Sequence, residues 1–255
     1  MTSASAWTIC SRGWKNMRLD KYLTKTAGSR TKAADIIKSG RITVNGKVMT
    51  KPAYELNETD EVIVSQGDDY VSRSANKLAK AFDDLHFSVD GQVVVDIGAS
   101  TGGFTDVCLR HGAKKVYAVD VGHDQLAEKL VNDDRVVNME GHNAREIKKD
   151  WFDEPVDFVC MDVSFIGSKT VLDALFKEFT PEHMAILIKP QFECGPAAHN
   201  KNGILTNDKV RRRIFDEIKQ YLGQHYRKVM LVDDILAGRS GNQEGILYAS
   251  ERRNA

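Results

Sequence analysis

The sequence predicts an α/β protein: a mostly parallel sheet covered by helices on both faces, its last strand antiparallel, behind a small α+β unit. Three observations predict it. From residue 75 onward, short apolar runs alternate with helical patterns, as in a doubly covered parallel sheet. The last two runs, residues 228–232 and 246–249, have no helical pattern between them, so the link Asp233 to Gly245 suits a hairpin. Residues 17–65 carry a separate pattern of two helices and a hairpin.

Composition narrows the function classes. The chain has 255 residues, with 36 Lys+Arg against 36 Asp+Glu and 42% apolar residues, enough for a sizeable core. A transmembrane helix needs about 20 apolar residues. Charge-free apolar runs here are short, as in Met184 to Ile188, which argues against a membrane-spanning role. Cys10, Cys108, Cys160 and Cys194 are dispersed, without metal-clip spacing, and read as reduced thiols of a cytoplasmic protein. The zero net charge hides an asymmetry: residues 1–51 hold 11 Lys/Arg against 2 Asp/Glu. A strongly basic end on a neutral chain points to a nucleic-acid-binding module, or to a solvated basic face.

Residues 1–16 show no periodicity and are expected to form a disordered leader, with Met17 a candidate start of the patterned chain. In residues 17–65, Leu19, Tyr22 and Leu23 share one helix face, and Ser29 can cap a second helix that stops at Gly40. Ile42-Thr43-Val44, the Asn45-Gly46 turn and Lys47-Val48 give a strong hairpin signal. Val62 to Val64 is a further strand. The cations Arg18, Lys21, Arg30, Lys32, Lys38 and Arg41 could dock a phosphate backbone.

Arg18-Leu19-Asp20-Lys21-Tyr22-Leu23, Ser29-Arg30 and the run Gly40 to Gly46 resemble the S4 RNA-binding fold. That resemblance implies structured RNA as the partner of the helical face.

Residues 66–76 read as a polar linker, with Ser74 a candidate cap for a helix from Ala75 to Leu85. The larger domain, 77–252, then runs strand 93–97, helix 103–110, strand 116–120, helix 124–131 and strand 135–138. It continues with strand 156–161, helix 168–178, strand 184–188, helix 207–222 and the two final strands.

The turn after the first strand, Asp96-Ile97-Gly98-Ala99-Ser100-Thr101-Gly102-Gly103-Phe104, lies where open α/β sheets bind ligands. A dinucleotide fingerprint would read G-x-G-x-x-G. Here an acid, Asp96, ends the strand instead, which suits a cationic group better than a pyrophosphate. Asp120 ends the second strand, where a carboxylate can accept both hydroxyls of a ribose. This pattern resembles the S-adenosylmethionine site of Rossmann-like class I methyltransferases; a plain NAD domain is the competing reading. The resemblance implies S-adenosylmethionine near Asp96, Gly98, Gly102, Gly103 and Phe104, with Asp120 at the ribose and Asn143 near the adenine.

Four more polar residues follow from topology. Asp162 and Lys189 each end an apolar strand, and Glu244 precedes the last one. Parallel strands deliver the first two to the carboxyl edge, and an antiparallel strand starts at that same edge. Lys77 can reach the edge from the flanking helix. Singly, Lys77 could be a solvated lysine and Glu244 a loop acid.

In this order and on these elements, Lys77, Asp162, Lys189 and Glu244 match the tetrad of FtsJ-like RNA ribose 2′-O-methyltransferases. With the strings Ser72 to Leu78, Asp162 to Ile166, Ile188 to Glu193 and Gly241 to Glu244, residues 17–252 resemble the TlyA-type, haemolysin A-like family. That resemblance implies cytidine 2′-O-methylation in ribosomal RNA or ribosomal subunits, with these four as catalytic residues. On chemical grounds Lys189 is assigned as the base, with Lys77 as the neighbouring cation that favours its neutral form, Asp162 as the carboxylate that positions it, and Lys77 and Glu244 orienting the ribose. Two other classes are weighed: a non-catalytic S4-type RNA-binding factor, and a membrane-lytic haemolysin.

Overall fold

A computed structural model describes residues 6–10, 17–38, 41–65, 70–195, 198–200, 203–233 and 241–253. The chain divides into two compact units, residues 1–69 and 70–255. The expected helix stop at Gly40, the linker residues 66–69 and the turn residues Gly238 to Ser240 lie outside the described residues.

The first unit opens with β1 (Ala6–Cys10), β2 (Met17–Arg18), α1 (Leu19–Tyr22), α2 (Thr24–Ala27) and α3 (Arg30–Lys38). It closes with β3 (Ile42–Val44), β4 (Lys47–Val48), β5 (Glu55–Leu56) and β6 (Glu61–Ser65). Strand order is β1-β6-β3-β4, with β2 and β5 paired separately. Leu19, Leu23, Ala33, Ile37, Ile42, Val44, Leu56 and Val62 form its core. Asn45 and Gly46 both have positive φ, 50° and 75°, as a two-residue type I′ hairpin turn requires. The Asn45 side chain also donates to Asp60 Oδ1 at 2.8 Å and accepts from Glu61 N at 2.9 Å, tying the turn to β6. Ser29 caps α3 as expected, accepting from Lys32 N.

One expectation is corrected here. Residues 6–10 lie in the segment read as a disordered leader, yet they form β1, antiparallel to β6, with Trp7 opposite Val64. The run Ala-Trp-Thr-Ile-Cys is aromatic and β-branched, a strand composition too short to show a period. Pairing it satisfies the second edge of β6, whose other edge is taken by β3.

The second unit contains α4 (Ala75–Leu85), β7 (Val93–Ile97), α5 (Gly103–Arg110), β8 (Lys115–Asp120), α6 (Glu128–Val131) and β9 (Val136–Glu140). Then follow β10 (Phe158–Met161), α7 (Ser168–Glu178), β11 (His183–Ile188), α8 (Pro190–Glu193), α9 (Asp208–Leu222), β12 (Tyr226–Val232) and β13 (Gly245–Arg252). The sheet order is β12-β13-β11-β10-β7-β8-β9. β13 is antiparallel to both neighbours, and the other pairings are parallel. The predicted fold class therefore holds.

Two cores sit on the two faces of this sheet, as the strand period of two requires. Val93, Val95 and Ile97 face Leu172 and Leu175 of α7, with Phe215 and Ile218 of α9 in the same cluster. Val94, on the opposite face, joins Leu78 and Phe82 of α4 and Phe104 and Val107 of α5. Asp96 shares that second face by alternation, which buries a carboxylate between β7 and α5.

Three local expectations change. Only Glu128–Val131 of the predicted helix 124–131 is helical. The N–H groups of Asp124, Gln125 and Leu126 instead donate to the Glu140 carboxylate at 3.1, 2.7 and 2.9 Å. These bonds, that from Leu126 first, hold Glu140 down to about 2. Ser74 does not cap α4: its backbone is already helical, and its hydroxyl meets Ser72 Oγ at 2.8 Å. Residues 70–74, read as linker, belong to the second unit, with Val71 N donating to the buried Asp106 at 2.9 Å.

Candidate active site

The carboxyl edge of the sheet gathers the polar residues that the topology placed there. β13, β11, β10 and β7 are consecutive neighbours, so Glu244, Lys189, Asp162 and Gly98 stand side by side along this edge. The register fixes the alignment: Ile188 lies opposite Gly245, and Met161 beside Ile97.

The four expected catalytic residues form two ion pairs. Lys77, reaching over from α4, donates to Glu244 Oε2, and both side chains are nearly inaccessible, 6% and 4% exposed. Lys189 Nζ lies 2.5 Å from Asp162 Oδ1 and donates a hydrogen bond to Ser164 Oγ at 2.7 Å. The Lys189 ammonium thus covers Asp162 Oδ1 as an ion pair. The charge of Lys77, expected to act on Lys189 as a neighbouring cation, is met by Glu244 instead.

Neutral residues brace these pairs, and the sequence did not single them out. Gln191 Nε2 donates to Glu244 Oε1 at 3.0 Å. Asn242, 2% exposed, accepts from Leu205 N at 2.9 Å and donates to Gly203 O at 3.2 Å. The loop before Glu244 is thus anchored to the chain ahead of α9.

Beside Asp162, alone of the four, lies a cavity of about 530 Å³, within the usual size range of ligand pockets. Gly98, Asp120, Asn143 and Asp162 line it, together with Ser100, Gln125, Arg145 and Phe165. Gly98 has φ +82°, and a Cβ there would lie 2.5 Å from the Asp162 carbonyl oxygen. Only glycine fits. Asp120 sits at the end of β8, where Oδ2 accepts from Ser100 N at 2.8 Å and Oδ1 from Gly122 N at 2.7 Å. Asn143 accepts from Arg145 N, capping a short 3₁₀ turn. Phe165 is 89% exposed, has φ +64° and lies with its ring 4.8 Å from that of Phe192.

Other expected cofactor residues stand behind this wall. A Cβ on Gly102 would strike the Leu126 and Leu130 side chains, and one on Gly103 would strike Ser72 Oγ and Ser74 Oγ. Both glycines are required by packing. Phe104 is a core side chain, 2% exposed. Asp96 is fully buried; its Oδ2 accepts from Thr105 N at 2.9 Å and Thr105 Oγ1 at 2.7 Å, and its Oδ1 has no donor.

Burial pushes Asp96 up to about 7, with Asp162 adding repulsion against two hydrogen bonds from Thr105. An unfolded aspartate releases its proton near 3.9. Between these values the folded chain keeps a proton that the unfolded chain has lost. The Asp96 contribution is therefore complete below about pH 4 and falls as pH rises to about 7, then levels off. Asp96→Asn keeps the shape and removes the titration. Thermal unfolding of both proteins from pH 4 to 8 should show the wild type losing ground to the variant up to neutrality. Parallel curves would mean that Asp96 is ionised throughout.

In the first unit the six expected RNA-contacting cations divide. Arg18 and Arg30 converge on the buried Asp20, at 2.8 and 3.1 Å, while their side chains stay 46% and 58% exposed. The Arg18 guanidinium, aided by Arg30, holds Asp20 down to about 2. Lys21, Lys32 and Lys38 are exposed, and Arg41 is half-buried.

Comparison with known proteins agrees with this architecture. A family model described as FtsJ-like methyltransferase matches residues 70–250, and the S4 domain model matches residues 17–62. Hemolysin A of Brachyspira hyodysenteriae is 43% identical over 237 residues, 91% of this chain and 99% of that protein. The 16S/23S rRNA (cytidine-2′-O)-methyltransferase TlyA of Mycobacterium tuberculosis is 37% identical over 242 residues, 92% of this chain and 90% of that one. A solved Streptococcus thermophilus protein that carries a haemolysin name superposes with a TM-score of 0.68 at 33% identity, covering 94% and 90% of the two chains. By these matches the chain belongs to the TlyA-type, haemolysin A-like family, an S4 domain followed by an FtsJ-like methyltransferase domain.

Proposed function

We propose that this protein is an S-adenosylmethionine-dependent 2′-O-methyltransferase acting on cytidine ribose in ribosomal RNA, in the cytoplasm. One observation carries the reading. Two lysine–carboxylate pairs stand at one sheet edge, and Asp162 of the second pair lines a ligand-sized cavity there. The relatives named above share the family, and one of them is named for this reaction.

The residues present suit the cofactor. Gly98 lines the cavity with backbone alone, Asp120 can accept ribose hydroxyls, and Asn143 stands on the wall where an adenine edge would find a polar partner. Asp162 lines the cavity, where its charge favours a cationic ligand. When bound, S-adenosylmethionine supplies an electrophilic methyl group.

The remaining work falls to the chain's own residues. A ribose 2′-hydroxyl is a weak nucleophile until its proton is taken or its oxygen polarised. Lys189 Nζ is the base at that atom, held by Asp162 and Ser164. Lys77 and Glu244 orient the ribose. The exposed Phe165 ring at the cavity mouth offers a stacking surface for the base of a flipped nucleotide.

The haemolysin name carried by some relatives favours no second reading here. Among the described residues no helix is long and apolar enough to cross a membrane. An intact tetrad also weighs against a factor that only binds RNA.

Calorimetry tests the cofactor reading: S-adenosylmethionine should bind and NAD should not. Binding of NAD alone would end it. The same reading assigns RNA docking to the S4 unit and its exposed cations. A chain lacking residues 1–69 should keep its cofactor affinity but bind ribosomal RNA with a shallower salt dependence. Each lost phosphate contact removes roughly 0.7–0.9 from the log–log slope. An unchanged slope would place the footprint on the methyltransferase unit.

A further inference from the structure

Glu244 has two carboxylate oxygens, and each meets a different donor. Lys77 takes Oε2, and Gln191 Nε2 reaches Oε1 at 3.0 Å. A single flexible lysine fixes a carboxylate's distance but leaves rotation about its last torsion open. A second donor on the other oxygen removes that freedom.

Gln191 is also tied to the other ion pair. It lies two residues beyond Lys189 in α8, with Pro190 between them at the start of the helix. Its backbone carbonyl meets His199 Nε2 at 2.9 Å, so the segment that carries it is held independently of its side chain. Gln191 therefore joins Glu244 on β13 to the strand end bearing Lys189.

The amide's orientation follows from charge. Turning Oε1 toward Glu244 would set an oxygen lone pair against a carboxylate, so Nε2 must face it. The consequence is a buried Oε1 with no hydrogen-bond donor. A side chain chosen only for packing or stability would not leave such an acceptor in place.

We propose that Gln191 is a positioning residue for methyl transfer, fixing the Glu244 carboxylate and through it Lys77. This rests on the methyltransferase reading above. Gln191 need not touch the reacting atoms; it sets where Glu244 and Lys77 stand when the ribose arrives. Its loss should appear in turnover and not in binding.

Two variants of the full-length protein test this, assayed with ribosomal RNA and S-adenosylmethionine. Gln191→Leu fills the site but donates nothing. It should lower kcat about tenfold or more, with KM for RNA and cofactor Kd close to wild type and Tm somewhat lower, because the buried Glu244 Oε1 loses its donor. Gln191→Glu keeps the shape and places a second carboxyl against Glu244. Such a pair shares one proton at low pH, and the protonated member can then donate as the amide does.

The ratio of Gln191→Glu to wild-type kcat should therefore rise as pH falls and collapse as the pair ionises. The charged and titratable groups around this position are Lys77, Glu244, Lys189 with its partner Asp162, His199 and, beyond it, Cys194. All are common to both proteins, so the ratio isolates the introduced carboxyl.

A Gln191→Leu kcat within about twofold of wild type would overturn the proposal. So would a raised KM at unchanged kcat, or a Gln191→Glu profile parallel to wild type. Should Gln191→Leu fail to fold, the isosteric Gln191→Glu profile alone decides. Wild-type protein that transfers no methyl group would instead sink the underlying function, a separate result.

Discussion

Lys189→Arg should abolish methyl transfer while S-adenosylmethionine and RNA still bind. Arginine keeps the positive charge beside Asp162 and can still donate hydrogen bonds, so the electrostatics of the cavity wall survive. What it cannot do is give up a proton near neutral pH and accept one from a ribose hydroxyl. General-base catalysis contributes typically 10²–10⁴-fold, and the loss in kcat should lie in that range or beyond. Single-turnover methylation and calorimetry on the same preparation separate chemistry from binding. A variant that methylates at near wild-type rate would remove Lys189 as the base, leaving catalysis to positioning alone.

Lys77→Met should destabilise the fold as well as inactivate it. Glu244 is almost fully buried, and Lys77 is its only cationic partner in an ion pair among the described residues. Breaking one side of a buried pair typically costs about 3–5 kcal/mol, because the remaining charge is left uncompensated. The double variant Lys77→Met, Glu244→Leu removes both charges and should recover most of that stability without recovering activity. Urea unfolding of the single and double variants measures this directly. Equal stability of Lys77→Met and wild type would show that water reaches Glu244 and that the pair is not truly buried.

Much of this was legible in the sequence, for reasons tied to particular residues. Phe158 to Met161 and Met184 to Ile188 are short apolar runs, each followed directly by a charged residue at the sheet edge. Because the edge holds strand ends, naming the strands also named Asp162 and Lys189. Glu244 followed from β13 being antiparallel, itself readable from the missing helix between the last two strands.

What escaped has equally specific causes. Gln191, Ser164 and Asn242 act through bonds to partners 53, 25 and 37 residues away, and a lone polar side chain has no period to betray it. Gly102 and Gly103 looked like ligand glycines because a glycine required by a neighbouring leucine or serine reads the same as one required by a cofactor. The short α6 reflects Glu140, a single carboxylate that takes the N–H groups of Asp124, Gln125 and Leu126. In β1, five residues were too few to show alternation before the partner strand was known.

The most direct measurement of the central claim is the position of the transferred methyl group. Purified protein, S-adenosylmethionine with an isotopically labelled methyl group, and ribosomal subunits or their RNA would be incubated and the RNA digested to nucleosides for mass spectrometry. Labelled 2′-O-methylcytidine, present with wild type and absent with Lys189→Arg, is the predicted result. Label on a base, on a different ribose, or nowhere in the RNA would contradict it.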